Sequence, residues 1–433
     1  MSYYAITGGV PLHGSVTLSG AKNLASKLIL ASMLTHDECV LTNIPPIGEI
    51  DIAVALIEAS GAKTVRDGTT ITTQASSIHT SDLQGVTARN RLSILLIGPL
   101  LFRTGSAEVP PVSGDQIGKR PVGFHIDALQ ALGVNIEHSD AGFRAVADKL
   151  RGCTIQLPYP SVGATETVLL TATWAEGQTV LENAAIEPEI IALIEFLSAM
   201  GAQIRTDIDR RRITIDGVRS FHGARQRIIS DRLEAVSYAS VALATKGDIL
   251  LEDARETDLL SYLDFCHRIG AGIERTTTGI RIFYTKPLQA TTIETAVHPG
   301  FMADWQQPSV VVLALANGTS YLHETVYEDR LRFTADLQRM GANIRVSTDC
   351  YGEPCRFVGL GHPHSARIEG PASLTPTQLD IPDIRAGMAH VIAALVAPGT
   401  SKLTGIHHLD RGYGTRLRSV LQDLGATIER IEE

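Results

Sequence analysis

Residues 195–205 read EFLSAMGAQIR, a hydrophobic helical run that ends in Gly-Ala and passes into an extended hydrophobic stretch. The same phrase stands at ALIEASGAKTV (55–65), DALQALGVNIE (127–137, with Val134 for the alanine), DFCHRIGAGIE (264–274), ADLQRMGANIR (335–345) and SVLQDLGATIE (419–429). Its glycines, Gly61, Gly133, Gly201, Gly270, Gly341 and Gly425, are 72, 68, 69, 71 and 84 residues apart (133−61, 201−133, 270−201, 341−270, 425−341). Internal repetition decides architecture before any motif does, and these periods exceed those of solenoids. Each repeat is therefore expected to be a small packed α/β element.

The rest of the repeat can be drafted outward from the phrase. Upstream lie an apolar helix, a Gly or polar turn and a short strand, as in TATWAEGQTVLEN (171–183) and ALATKGDILLED (242–253). The second helix carries its apolar residues on one face, Ile194, Phe196, Leu197 and Met200 in the third repeat. The glycine falls where a left-handed C-terminal cap is wanted. A hairpin follows, as in AQIRTDIDRRRITIDG (202–217), with Ile213 and Ile215 alternating. Pattern alone reads helix, strand, helix, strand, strand, six times over.

The sixth repeat stops at ATIERIEE, one hairpin strand short. The N-terminal YYAITGGVPLHG (3–14) resembles RRITIDGVRSFHG (211–223), so the first strand of the chain is expected to complete the last repeat. That divides the protein into a domain of residues 22–229 and another of 1–21 plus 230–433, three repeats in each. One core of 433 residues is disfavoured, because cores stop growing near 250–300 residues. Two chain crossings, near Ser19 and Ser230, would act as a hinge, and a cleft between domains is the default ligand site.

Composition narrows the class. Apolar content of 44% and charged content of 20% describe an ordinary globular protein. A net charge of −9 argues against nucleic acid as a partner. The longest apolar run, LSILLIGPLLF (92–102), is too short and broken to span a membrane. No basic-then-apolar signal opens the chain. Five cysteines, Cys39, Cys153, Cys266, Cys350 and Cys355, are an odd number and fit a reduced cytoplasm. Cys350 and Cys355 flank a Gly-Glu-Pro turn without a second close pair, so no metal site is expected. The 14 histidines show no paired spacing of the metal-ligand type.

Cations fall where helices are expected to begin: Lys22, Arg91, Arg120, Arg232, Arg330, Arg385 and Arg411. A helix N-terminus prefers an anion, and a cation there costs about 0.3–1 kcal/mol. Seven such placements suggest bound anions, since free N–H groups plus a cation make an anion site. The alternative is local: Asp231, Asp329, Asp383 and Asp410 stand beside four of these arginines as candidate caps, with which the arginines would simply pair. Asp304, in HPGFMADWQQP (298–308), reads first as an N-cap with Gln307 completing a capping box. Its functional reading is general base.

Residues 104–121, TGSAEVPPVSGDQIGKRP, show neither helical nor strand period, and loops of this length are uncommon unless functional. Carrying Asp115, Lys119 and Arg120, the segment reads as a lid bearing an acid and two cations. Within it SGDQIGKRP approaches a phosphate-binding loop but has Ser113 where Gly is required and Arg120 where Ser or Thr is. GLGHPHSARIEG (359–370) lacks the third glycine of a dinucleotide fingerprint, so neither an ATPase nor a dinucleotide reading follows.

In order along the chain, SGAKNLASKLILASML (19–34), SGDQIGKRPV (113–122), SVGATET (161–167), ENAAIEPEI (182–190), HPGFMADWQ (298–306), ETVYEDR (324–330) and HHLDRGY (407–413) resemble the UDP-N-acetylglucosamine enolpyruvyl transferase (MurA) family. The sister shikimate-pathway transferases share the fold, but their glycine-rich N-A-G-T signature is absent here. The resemblance implies two inside-out α/β barrels, six βαβαββ units, three per domain. It implies transfer of the enolpyruvyl group of phosphoenolpyruvate to the 3′-hydroxyl of UDP-N-acetylglucosamine, the first committed step of peptidoglycan synthesis. A cytoplasmic monomer without cofactor or metal is expected.

Residue by residue, the resemblance assigns Lys22, Asn23, Arg120 and Arg411 to phosphoenolpyruvate. To the UDP-sugar it assigns Arg91, Arg120, Pro121, Val122, Gly123, Phe124, Ser161, Val162, Gly163, Asp304 and Val326. Arg232, Arg330 and Arg385 are supporting arginines. Asp304 would take the hydroxyl proton, and Asp115 stands at the lid position that is usually cysteine. Three positions depart from the family: Gly123 where Asp is common, Phe124 where Leu is, and Tyr159-Pro160 in place of the basic residue before Ser161. A different nucleotide acceptor, or a non-catalytic ligand-binding relative, are the alternatives.

Overall fold

The structure, a computed structural model, describes residues 2–86, 90–113, 121–352 and 355–432. They form two compact units, one of residues 20–113 and 121–229, the other of 2–19 and 230–432. Each holds three repeats and its own hydrophobic core.

The six glycines of the repeated phrase share one conformation. Their φ angles run from +83° at Gly270 to +113° at Gly61, and each ends a second helix. In the third repeat Gly201 N–H donates to the Ser198 carbonyl at 2.9 Å, and Ala202 N–H to that of Leu197 at 2.9 Å. The first and last repeats close in the same way, Gly61 on Glu58 with Ala62 on Ile57, and Gly425 on Gln422 with Ala426 on Leu421. These are the bonds that satisfy the orphan carbonyls of a helix C-terminus. A side chain in the left-handed region costs about 1–2 kcal/mol, which accounts for glycine at all six.

The drafted unit lacks one element. A short strand precedes the first helix and pairs in parallel with the second, such as Thr154–Gln156 on Gln178–Glu182 and Thr292–Glu294 on Gly318–His323. Five of the six sheets have four strands in the spatial order first, second, fourth, third. Three-residue strands with one buried residue, like Ile155, are too short to show a period of two. In two repeats this strand comes from far along the chain. His13–Thr17 pairs with Asp248–Glu252, and Arg225–Arg227 with Glu38–Thr42. The fourth strand of the sixth repeat is Ser2–Gly8, lying between Gly399–Thr404 and Thr427–Glu432 with Ile6 opposite Ile428.

The second repeat departs most. Its sheet has three strands, and Asp82 bridges Glu108 where the first strand would lie. Part of the segment read as irregular is a strand, Ser106–Val109, with Ala107 and Val109 buried. Four residues with two inward positions are all the pattern it offers.

The first helices of repeats four and five are buried all round, because the interior of their unit is built from them. Every residue of Arg232–Ala244 and of Gln306–Ala314 is buried. These two helices and Ile384–Val396 pack on one another inside the unit of repeats four to six. Alanines and serines permit that approach, and Ser237 returns its hydroxyl to the Leu233 carbonyl at 2.8 Å. A helix without a polar stripe must be interior, so the start of a first helix is where its buried interior meets the chain that leads in.

Candidate active site

In the unit of repeats four to six, charged residues gather at the start of the fifth repeat's first helix. Ala303–Trp305 is a 3-10 turn that runs into Gln306–Ala314, and the extended residue before it is Met302. Asp304 therefore lies inside the turn and is not its N-cap. Its carboxylate receives Arg330 Nη2 on Oδ1 and Arg385 Nε on Oδ2, the latter at 3.4 Å. Gln307 does not complete a capping box. With its amide oriented to satisfy its neighbours, its oxygen accepts from Arg330 Nε at 2.8 Å. The cap reading of Asp304 is thus corrected: two guanidinium groups hold the side chain that a cap would have turned toward the backbone.

Both arginines are themselves fixed. Arg330 Nη1 lies 3.9 Å from Asp383 Oδ1, and Arg385 Nη1 donates to the Tyr413 hydroxyl at 3.0 Å. That hydroxyl shares a 2.7 Å hydrogen bond with Ser237 Oγ. The two guanidinium groups are buried, at 5% and 8% exposure. Burial disfavours their charge, but Asp304 and Asp383 outweigh it for Arg330, and Tyr413 and Asp304 for Arg385. Both are held above the ordinary arginine value. Asp304 is the more open member of the group, its side chain 25% exposed.

Glu324 lies beneath, fully buried. Desolvation pushes its pKa up to about 7, against the lowering effect of the Tyr327 and Val326 N–H groups, which donate to it at 2.8 and 2.6 Å. Those two bonds hold Val326 and keep the segment to Arg330 irregular, so the helix starts only at Thr334 and Arg330 precedes it. Asp329 caps nothing and pairs with Arg332. Arg411 lies in the last turn of His407–Tyr413 rather than at a helix start, and Asp410 pairs with Arg430 at 3.0 Å. The caps at Asp231 and Asp383 are real. Asp231 accepts from Leu233 and Glu234 at 2.7 and 3.2 Å, and Asp383 from Arg385 and Ala386 at 2.8 and 3.0 Å. Arg232, 3% exposed, lies 3.4 Å from His298 Nδ1 and 5.7 Å from the centre of the Trp305 ring.

The unit of repeats one to three presents two groups. Lys22 opens helix Lys22–Ala31 with no side-chain cap before it and with Asn23 beside it. Its Nζ lies 3.6 Å from Glu49, in the first turn of Gly48–Ala59. Further along the helix, Lys27 approaches Glu166 at 4.0 Å. Desolvation pushes Glu166 up to about 7; Lys27 opposes this, and Glu189 and Glu187 add to it.

The second group surrounds His125. Helix Gly123–Ala131 packs on Val162–Ala172, and His125 Nδ1 lies 2.7 Å from Thr167 Oγ1. A Cβ on Gly163 would come within 2.8 Å of the His125 ring, so glycine there permits the contact. Burial, then the positive charge of Arg91, push His125 down to about 4, leaving a neutral imidazole at neutral pH. Arg91 follows Asn90, whose Oδ1 accepts from Leu92 and Ser93 at 2.8 and 2.9 Å. Pro121 and Val122 lead into Gly123–Ala131. Ser161 caps Val162–Ala172, accepting from Ala164 at 3.3 Å, with Val162 and Gly163 in its first turn. Among the described residues, a Cβ on Gly123 would meet nothing within 4 Å, and Phe124 is packed against the core. Asp115, Lys119 and Arg120 lie outside the described residues.

Sequence reasoning overlooked Glu49, His125, Glu324, the approach of Asp383 to Arg330 rather than Arg385, and Tyr413. Repeat alignment would have found the first, because Glu49 and Glu189 occupy the same place in GEI (48–50) and PEI (188–190). A lone buried histidine such as His125 offers no such signal.

The EPSP synthase (3-phosphoshikimate 1-carboxyvinyltransferase) family model matches residues 6–419. Among curated relatives, the UDP-N-acetylglucosamine 1-carboxyvinyltransferase of Protochlamydia amoebophila is 42% identical, over 100% of this chain and 95% of that protein. The protein of the same name from Chlamydia abortus is also 42% identical, over 99% and 98%. Among solved structures, the enolpyruvyl transferase NikO from Streptomyces tendae superposes with a TM-score of 0.86 at 25% identity, covering 99% of this chain and 98% of that one. EPSP synthase from Acinetobacter baumannii shares the fold at a TM-score of 0.74 and 18% identity, over the whole of both chains. Among the described residues, no helix is long and apolar enough to cross a membrane. With full-length identity above 40% and the fold in agreement, the chain belongs to the UDP-N-acetylglucosamine 1-carboxyvinyltransferases, within the wider EPSP synthase family.

Proposed function

We propose that this protein transfers the enolpyruvyl group of phosphoenolpyruvate to the 3′-hydroxyl of UDP-N-acetylglucosamine, releasing phosphate, as the first committed step of peptidoglycan synthesis. The full-length identity to proteins named for that reaction carries the reading. In this reading the enzyme is a cytoplasmic monomer.

The roles follow from the chemistry. In the addition step the sugar oxygen bonds to C2 of phosphoenolpyruvate, C3 gains a proton, and the hydroxyl proton leaves. Asp304 takes that proton; its carboxylate, aimed by Arg330 and Arg385, supports this role. Asp115 supplies the proton to C3. In the elimination step the C2–O bond to phosphate breaks and C3 returns a proton, giving the enol ether and inorganic phosphate. Positive charge develops at C2 beside a phosphate and a carboxylate, and Lys22, Arg120 and Arg411 hold those anions while Asn23 positions them. Arg91, with the helix starts at Gly123 and Val162, takes the UDP moiety, and Val326 lies beside the sugar.

Phosphate release from phosphoenolpyruvate tests the reading. Release is expected with UDP-N-acetylglucosamine. Release only with another nucleotide would favour a different acceptor. No release with any acceptor would overturn the enzymatic reading. Because Asp115 replaces a thiol, fosfomycin, which alkylates that cysteine, is expected to leave the enzyme unmodified. A stable adduct in the intact mass would refute the assignment of Asp115 to the lid position.

A further inference from the structure

The hairpins of the first four repeats close through two to four residues, at 68–69, 140–141, 208–211 and 276–278. The fifth does not. Between strands Asn343–Ser347 and Ser365–Gly370 run 17 residues, 348–364 (365−348). This excess accounts for the 84-residue spacing between Gly341 and Gly425. A segment of that length whose described residues form no helix or strand needs something to hold it.

Four ligand-type side chains meet there. His323, from strand Gly318–His323, and Cys350, Cys355 and His364, from the loop, place one donor atom each within 4.8 Å of one another. His364 Nε2 lies 3.4 Å from both Cys350 Sγ and Cys355 Sγ. A tetrahedral zinc with bonds of about 2.3 Å to sulfur and 2.0–2.1 Å to nitrogen sets sulfur and nitrogen roughly 3.5 Å apart.

The outer contacts favour the same assignment. His364 Nδ1 is 2.7 Å from the His362 carbonyl, which fixes that nitrogen as the donor and leaves the Nε2 lone pair toward the two sulfurs. His323 Nδ1 is 3.0 Å from Glu294 Oε2, while its Nε2 is buried without a hydrogen-bond partner among the described residues. A histidine backed by a carboxylate or a carbonyl is the usual arrangement of a zinc ligand. Gly352 lets the loop close over this pair, since a Cβ there would fall 1.8 Å from Glu294 Oε2. The Phe357 ring, 2% exposed, covers one side at 5.4 Å from the His364 ring.

We propose that His323, Cys350, Cys355 and His364 bind one zinc ion in a structural site that staples the 348–364 loop to the fifth sheet. Two nitrogens and two sulfurs complete the tetrahedron and leave no open position, so the site holds structure and does not catalyse. Binding converts two thiols to thiolates and releases two protons; the ion and the two thiolates then sum to zero charge. This runs against the expectation from Cys350 and Cys355 alone. The second half of the site includes a histidine from a strand that precedes the loop by more than 20 residues, and no spacing rule reaches it.

The test uses the full chain, purified reduced and without chelators. Elemental analysis is expected to give one zinc per chain. Cobalt(II) exchanged into the wild-type protein is expected to give the intense visible bands of a tetrahedral ion and a thiolate-to-cobalt charge-transfer band. The double variant Cys350→Ser, Cys355→Ser is expected to lower zinc affinity by at least about tenfold, and Cys153→Ser to leave it unchanged. Absence of zinc together with absence of the thiolate band in wild-type protein overturns the proposal, and so does recovery of Cys350 and Cys355 as a disulfide from protein kept reduced. The cobalt spectrum needs no variant, so a double variant that fails to fold does not rescue a negative result.

Discussion

Aspartates stand at the start of the first helix in repeats four, five and six, and they do two different things. Asp231 and Asp383 are extended residues outside their helices, and their carboxylates take the first free N–H groups. Asp304 is already within a 3-10 turn, with Met302 as the extended residue. A capping carboxylate lies on the residue just outside its helix, and Asp304 does not occupy that place. The carboxylate is therefore left for Arg330 and Arg385. Two residues of register (304−302) separate an aspartate that caps a helix from one whose carboxylate is held by two arginines. The first kind should matter to stability and the second to turnover.

The most direct way to break this contrast is Asp304→Asn. The amide keeps the size of the side chain but cannot take up the hydroxyl proton. Turnover, measured by phosphate release, should fall by about 10²–10⁴-fold, while thermal unfolding shows the fold intact. Near-normal turnover would return Asp304 to the class of Asp231. Lys22→Ala is the matching test in the other unit, with a loss of roughly 10²–10³-fold expected if its charge offsets that of bound phosphoenolpyruvate.

Glu324 sharpens the contrast as a third kind of carboxylate, buried and committed to backbone N–H groups. Burial raises its folded pKa to about 7, above its unfolded value near 4.5. The folded protein therefore holds a proton that the unfolded chain releases as pH rises. The contribution is full below about pH 4.5 and is lost progressively up to about pH 7, by roughly 3 kcal/mol at most. In Glu324→Gln that loss disappears. The melting temperature of the wild type minus that of the variant should fall between pH 5 and 7 and level off above. A difference independent of pH would mean that Glu324 is already ionised in the fold.

How much of this could be read in the chain depends on how local the cause is. The repeated phrase was legible because a left-handed C-terminal cap demands glycine, wherever the helix sits. The α/β class followed from it. The first strands were not legible, since Ile155 alone cannot set a period and two of them, His13–Thr17 and Arg225–Arg227, come from remote segments. Lys22, Arg232 and Arg385 stand at helix starts as expected. Arg330 and Arg411 do not, because Glu324 delays one helix and Gly414 ends another just after the other arginine. The pairing of Asp304 with Arg385 joins residues 81 apart, and sequence patterns carry no such distance. The extra length before Gly425 was visible as spacing, but which hairpin holds it was not.

The smallest expected effect belongs to Asp231, and it tests the other side of the contrast. Its carboxylate accepts from two N–H groups of a fully buried helix, and it also lies in the field of Arg385. Two contributions are therefore mixed, a cap and a charge. Asp231→Ala removes both and should cost about 1 kcal/mol, or about 2–4 °C in the melting temperature for a unit of this size. Asp231→Asn keeps an oxygen that can cap and removes only the charge, so most of that loss should return. If Asn is no better than Ala, the aspartate acts through Arg385 rather than through the helix. Asp231 would then belong with Asp304, and the division between capping and catalytic aspartates would fail at the residue where it looked simplest.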